Sequence, residues 1–263
     1  MPHVGERFRE SRSRDEALLV VYLTVGDPIA PFEALARAVV EAGADVLELG
    51  IPTEGTRPRG AEVARSFERA GDLPAVRSWE MVGKLRAALP ETPLLQLVYP
   101  ATTADLGVSP LLAEAAAAGL DGLVLTDPSN APSIGRVLDR GLSAIPLITS
   151  STEPARAARL EAEADVLTYR SLAARTGDPL TPAEAGRLTE AAAGGAGRPF
   201  LAGFGLRDEA GVRAVARHAA GVVIGSELYR VLGATGGAPL DRVRDAVTRW
   251  KAATVRTSTE SRA

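Results

Sequence analysis

One carboxylate stands alone among apolar residues in the run Val46-Leu47-Glu48-Leu49-Gly50-Ile51. Side chains alternate across a strand, so Glu48 faces either the lumen of a barrel or the layer of helices around it. Burial in either place penalises the ionised form, raises the pKa and suits proton transfer; the alternative is a structural carboxylate held by backbone amides or an arginine. A second chemical signal lies in two glycine turns. Gly203-Phe204-Gly205 precedes a helix starting near Arg207-Asp208, and Gly225-Ser226 precedes one starting near Glu227. Glycine lets the backbone approach closely, and the unpaired N–H groups of a helix start face an anion. A single Gly-X-Gly is often only a tight turn, but two at successive strands favour a phosphate site. The segment Arg170–Thr181 has no clear period and reads as either a lid or a surface loop.

Composition removes competing chemistries. The 263 residues include no cysteine, two histidines (His3, His218) and two lysines (Lys84, Lys251) beside twenty-eight arginines, with a net charge of -3. Thiolate catalysis, a cysteine or histidine metal centre and a Ser-His-Asp triad lack their residues, and neither lysine is placed for a Schiff base. Mild acidity argues against a nucleic-acid surface, since the basic Arg57-Pro58-Arg59 is too short for one. No apolar stretch reaches the roughly 18 residues that span a bilayer, and Met1–Asp15 is too polar for a signal peptide, so a cytoplasmic protein is expected. Carboxylates, tyrosines, arginines and backbone amides remain, with neither metal nor cofactor.

The elements that must position these groups follow from periodicity. Candidate strands are Leu18–Leu23, Val46–Leu49, Leu94–Tyr99, Gly122–Leu125, Ala144–Thr149, Asp165–Tyr169, Pro199–Ala202 and Gly221–Ile224. Candidate helices are Pro31–Ala42, Ala61–Arg69 with Trp79–Ala88, Pro110–Ala118, Ser133–Arg140, Pro154–Ala162, Pro182–Ala193, Arg207–His218 and Leu240–Ala252. This alternation predicts a single-domain α/β fold, the (β/α)8 TIM barrel, although an open doubly wound sheet has the same local pattern. Residues 1–15 form an N-terminal segment and 254–263 a frayed tail. Three echoes, Glu41–Gly50, Ala118–Asp127 and Glu163–Tyr169, share one design of helix end, small-residue turn and apolar strand. In a barrel the functional groups sit at the C-terminal ends of strands, which here carry Tyr22, Glu48, Tyr99, Asp127 and Tyr169.

Taken in order, Tyr22–Pro28, Glu41–Pro52, Leu97-Val98-Tyr99, Val124–Asp127, Leu167–Tyr169, Gly203–Gly205 and Ile224–Ser226 resemble the tryptophan synthase alpha subunit family over essentially Ala17–Ala252. The resemblance implies a cofactor-free retro-aldol cleavage of indole-3-glycerol phosphate to indole and glyceraldehyde 3-phosphate, and a beta-type subunit as partner. It implies that Glu48 moves protons between the indole C3 and the glycerol hydroxyl. Gly203, Phe204, Gly205, Gly225 and Ser226 would hold the phosphate, with Gly177 contributing from the loop. Tyr22, Leu97, Tyr99, Phe204 and Tyr169 would line the indole pocket, beside Asp127.

The loop after the second strand departs from the family. Thr53-Glu-Gly-Thr-Arg-Pro-Arg-Gly-Ala61 stands where the family has Phe-Ser-Asp-Pro-Leu-Ala-Asp-Gly-Pro, so Arg59 occupies the place of the catalytic aspartate and Gly55 that of the first aspartate. An arginine accepts no proton and has the wrong sign to stabilise a cationic ring. Three readings follow: a lyase that is slow or altered in substrate unless Glu54 substitutes, a non-catalytic binder of a phosphorylated ligand or beta-type subunit, and another barrel enzyme that uses Glu48 with Asp127 on a different phosphorylated substrate.

Overall fold

The computed structural model describes residues 4–58, 60–71, 73–126, 133–171, 198–203 and 205–256. The parallel strands β1 (Leu18–Thr24), β2 (Val46–Gly50), β3 (Leu94–Val98), β4 (Gly122–Leu125), β5 (Ser143–Ile148), β6 (Thr168–Ser171), β7 (Phe200–Gly203) and β8 (Gly221–Ile224) pair in sequence order, and β8 closes on β1. This is the expected (β/α)8 TIM barrel. Both faces of each strand are covered, which is why β1 is buried along its whole length and shows no polar alternation.

Around the barrel lie α1 (Val4–Ser13), α2 (Phe32–Glu41), α3 (Ala61–Ala70), α4 (Ala75–Ala88), α5 (Pro100–Leu106), α6 (Val108–Ala117), α7 (Ile134–Leu138), α8 (Pro154–Glu163), α9 (Glu209–Ala216), α10 (Ser226–Gly233) and α11 (Pro239–Ala253). Their ends follow local chemistry. In α8, Pro154 occupies the first turn, where its missing N–H costs nothing, and the Glu153 carboxylate accepts the N–H groups of Ala155 and Arg156. In α2, Phe32, Leu35, Ala36 and Val39 recur at helical spacing and are buried. No helix among the described residues is long and apolar enough to cross a membrane.

Several boundaries differ from expectation. The N-terminal segment folds as α1, with Val4, Gly5 and Ser11 buried. Tyr99 is the N-cap of α5, a helix not anticipated, rather than the end of β3. α4 starts four residues before Trp79. Residues 254–256 are not frayed: Thr254 is buried, Val255 bridges to Glu16, and Arg256 donates to the carbonyls of Ala216 and Ala219. The expected helix Pro182–Ala193 lies outside the described residues.

β6 begins at Thr168 rather than Asp165, because Asp165 has another task. Its carboxylate accepts the backbone N–H of Ala144 on β5 at 3.2 Å. Asp45 takes the N–H of Leu19 on β1 at 2.7 Å, and Asp121 that of Leu94 on β3 at 2.8 Å. The three sequence echoes are thus three clamps, each an aspartate ahead of an even-numbered strand gripping the start of the strand before it.

Cations complete two of the clamps. Lys251 pairs with Asp45 and Glu16, and Arg86 pairs with Asp121 while donating to the carbonyls of Gly119, Leu89, Pro90 and Thr92. Breaking a buried pair strands its partner charge, so Arg86→Met should lower unfolding stability by about 3–5 kcal/mol in urea titration. Arg77→Ala, which removes an exposed pair with Glu80, should change it by less than about 0.5 kcal/mol.

Candidate active site

Register places the central groups. Tyr22 on β1 lies opposite Glu48 on β2, and Leu97 on β3 lies opposite Gly50. Tyr22 leans across the end of β2: a Cβ on Gly50 would fall 1.8 Å from its hydroxyl, so only glycine admits the ring. The same device recurs across the lumen, where a Cβ on Gly203 of β7 would fall 2.0 Å from the Tyr169 hydroxyl. Gly203 therefore has a packing reason independent of any ligand.

Glu48 is 2% exposed, and its Oε1 has no hydrogen-bond partner among the described residues. Desolvation alone pushes its pKa up to about 8. Three of the chain's four tyrosines, Tyr22, Tyr99 and Tyr169, feel the charge of this carboxyl. Burial, followed by the Tyr99 phenol, pushes Tyr22 well up; burial and then the Glu48 charge raise Tyr99 and Tyr169. The fourth, Tyr229 on α10, is pushed up to about 12 by burial and was not anticipated from sequence. Phe67 of α3 was also missed; it meets Tyr99 edge-on with ring centroids 5.9 Å apart.

The two glycine turns are not equivalent. After β7, Gly205 takes a left-handed φ of 89°, but the helix that follows is already capped: Asp208 accepts the N–H of Gly211. After β8, Gly225 caps α10 with no side-chain bond, and the buried Ser226 hydroxyl has no partner among the described residues. The helix start available to an anion is that of α10. Arg59, Asp127, Gly177 and Phe204 lie outside the described residues.

The loop after β2 is fastened to α5. The Thr53 hydroxyl bonds that of Thr56 at 2.7 Å and donates to Thr102 at 3.3 Å, while Glu54 and Arg57 are exposed. Neither lysine reaches the lumen: Lys84 is exposed and Lys251 is held by Asp45 and Glu16. Among the described residues no group of three or more His, Cys, Asp or Glu could hold a metal. The arrangement offers one proton-holding carboxyl, aromatic walls and an uncapped helix start.

The family model for the tryptophan synthase alpha chain matches residues 8–258. The tryptophan synthase alpha chain of Halorhodospira halophila is 34% identical over 261 residues, spanning 94% of each chain. That of Laribacter hongkongensis is 32% identical over 252 residues, spanning 93% of this chain and 96% of its own. Among solved structures, the tryptophan synthase alpha chain from Legionella pneumophila superposes with a TM-score of 0.84 at 27% identity, covering 98% of this chain and 99% of its own.

The raised pKa of Glu48 has a stability consequence. Between pH 4.5 and about 8 the folded chain holds a proton that the unfolded chain has released, so this group's contribution to stability falls as pH rises. Glu48→Gln removes that slope. In thermal melts the variant should gain on the wild type as pH goes from 4 to 8, with the difference smallest at pH 4; a gap independent of pH would contradict the assignment.

Proposed function

Because the chain belongs to the tryptophan synthase alpha chain family, whose members cleave indole-3-glycerol phosphate, we propose that it catalyses this carbon–carbon lyase reaction slowly, with Glu48 as its proton shuttle. The buried Glu48 carboxyl, whose Oε1 has no partner among the described residues, carries the reading. With a pKa near 8 it is protonated at neutral pH and can deliver its proton to the indole C3. The resulting carboxylate then takes the proton of the adjacent glycerol hydroxyl as the C–C bond breaks. Indole and glyceraldehyde 3-phosphate leave, Glu48 has its proton back, and the balance closes without metal or cofactor.

The phosphate sits at the start of α10, held by Gly225 and Ser226; the family pattern adds Gly203, Phe204, Gly205 and Gly177 as further contacts, of which Phe204 and Gly177 lie outside the described residues. The indole ring lies among Tyr22, Leu97, Tyr99 and Tyr169; the family pattern adds Asp127, which lies outside the described residues. High phenol pKa values keep these walls neutral, so they position the ring without exchanging protons. A beta-type subunit is the expected partner, and co-purification with one tests that.

Arg59 makes the reaction slow. It stands in the family's aspartate position, where it can neither accept the indole N–H proton nor stabilise a cationic ring. Glu54 is exposed on the turn of the same loop and does not replace it in this arrangement. Arg59→Asp should raise indole release by about 10²- to 10⁴-fold, the usual worth of one positioned acid–base group. Glu48→Gln should abolish release while changing glycerol 3-phosphate affinity by less than about threefold, because its role is chemical rather than uniform binding. Wild-type release as fast as that of the relatives would refute the slow reading. Unchanged release in Arg59→Asp, with ligand still bound, would favour a binding protein or a different phosphorylated substrate.

A further inference from the structure

Two hydroxyls near the Tyr22 phenol hold their protons away from it. Ser66 on α3 donates to the carbonyl of Val63 at 2.7 Å, which uses its single proton. The hydroxyls of Thr24 and Ser66 are 2.6 Å apart, so the proton between them is the one on Thr24. Thr24 also points at the Tyr22 oxygen, but at 3.5 Å, and its proton is already committed to the shorter bond. The Tyr99 phenol stands beside the same oxygen and can offer it one proton, which leaves room for a second donor. Tyr22 is 3% exposed, so that donor does not come from bulk water.

The place of this oxygen matches a need of the bound ring. Tyr22 is in register with Glu48, and its hydroxyl lies over Gly50, two residues nearer the catalytic end of β2. Two residues of a parallel strand span about 6.6 Å, a distance that a bicyclic aromatic ring bridges. A ring that meets Glu48 at its C3 can therefore carry its N–H to the root of the loop that follows β2. A buried N–H without an acceptor forfeits the hydrogen bond it had in water. Arg59, which stands in the family's acceptor position on that loop, has donors only. Glu48 is occupied with C3 and the glycerol hydroxyl, so neither of these side chains meets the need.

We propose that the Tyr22 oxygen accepts the ring N–H of the substrate, in place of the carboxylate that Arg59 displaces, and that Thr24 and Ser66 are positioning residues that keep this oxygen free to accept. This rests on the lyase reading above and adds the group that recognises the heterocycle. It specifies the substrate class at the ring end: a bicyclic aromatic with an N–H, over sulfur or carbocyclic analogues. A phenol is neutral, so it pairs the N–H without supplying the negative charge that a carboxylate brings to a cationic ring. That agrees with a slow enzyme, in which recognition is kept while charge stabilisation is lost.

Calorimetry with two ligands tests this independently of turnover. Both carry a three-carbon phosphate chain at C3, one on indole and the other on benzothiophene, whose sulfur replaces the N–H. The wild type should bind the indole about three- to tenfold more tightly, the usual net worth of one neutral hydrogen bond. Tyr22→Phe should bring that ratio near unity while leaving glycerol 3-phosphate affinity unchanged. Ser66→Ala, which frees the Thr24 proton to turn toward Tyr22, should lower the ratio with the phenol still in place. A wild-type ratio retained in folded Tyr22→Phe, or a loss confined to Tyr99→Phe, overturns the proposal, and a ratio unchanged in Ser66→Ala overturns the part given to Thr24 and Ser66. Equal binding of the two ligands by the wild type overturns the acceptor alone, whereas a wild type that binds neither of them nor glycerol 3-phosphate overturns the phosphate reading as well.

Discussion

The register of the barrel is the constraint on which the site depends. A slip of one residue on a strand would turn Glu48 out of the lumen and bring Leu47 or Leu49 in. Apolar strands such as β1 and β2 supply little register information by themselves, since either face would be content in a core. Asp45, Asp121 and Asp165 provide it, each taking a backbone N–H at the start of the preceding odd-numbered strand. The hydrogen bonds are directional where hydrophobic packing is not, so they select one alignment among several of similar burial.

With register settled, the lumen sorts its groups by proton affinity. Burial disfavours charge on every one of them, but it acts on different starting points. The phenols begin high and move higher, so they stay neutral at any working pH. The carboxyl begins low and is lifted into the range where it can both hold and release a proton. Among the described lumen groups Glu48 is thus the one that changes charge near neutrality, and a uniformly dry environment is enough to single it out.

The abundance of arginine has a structural use. Arg86 and Arg242 each gather four backbone carbonyls, and Arg198 and Arg256 gather more at other helix ends. The planar fork of five donors suits this work, which satisfies carbonyls left over at helix C-termini; lysine, with three donors on a flexible stem, serves it less well.

Much of the molecule was legible in the chain itself. The alternation of apolar runs with helical segments determined a parallel α/β fold, because a parallel strand buried on both faces and an amphipathic helix have distinct periods. The closure of β8 on β1, which separates a barrel from an open doubly wound sheet, was decided by the structure. Glu48 was legible because a lone carboxylate in an apolar run must be buried, and the turns after β7 and β8 because glycine marks close backbone approach. Only the tertiary structure decided that Asp208 caps α9 and leaves α10 open, that Gly50 and Gly203 make room for tyrosine hydroxyls, and that Tyr229 reaches Thr24 across 205 positions of sequence. Periodicity reports which face of an element is buried, whereas these contacts depend on which elements the closed barrel brings together, and that is a property of the closure rather than of any segment.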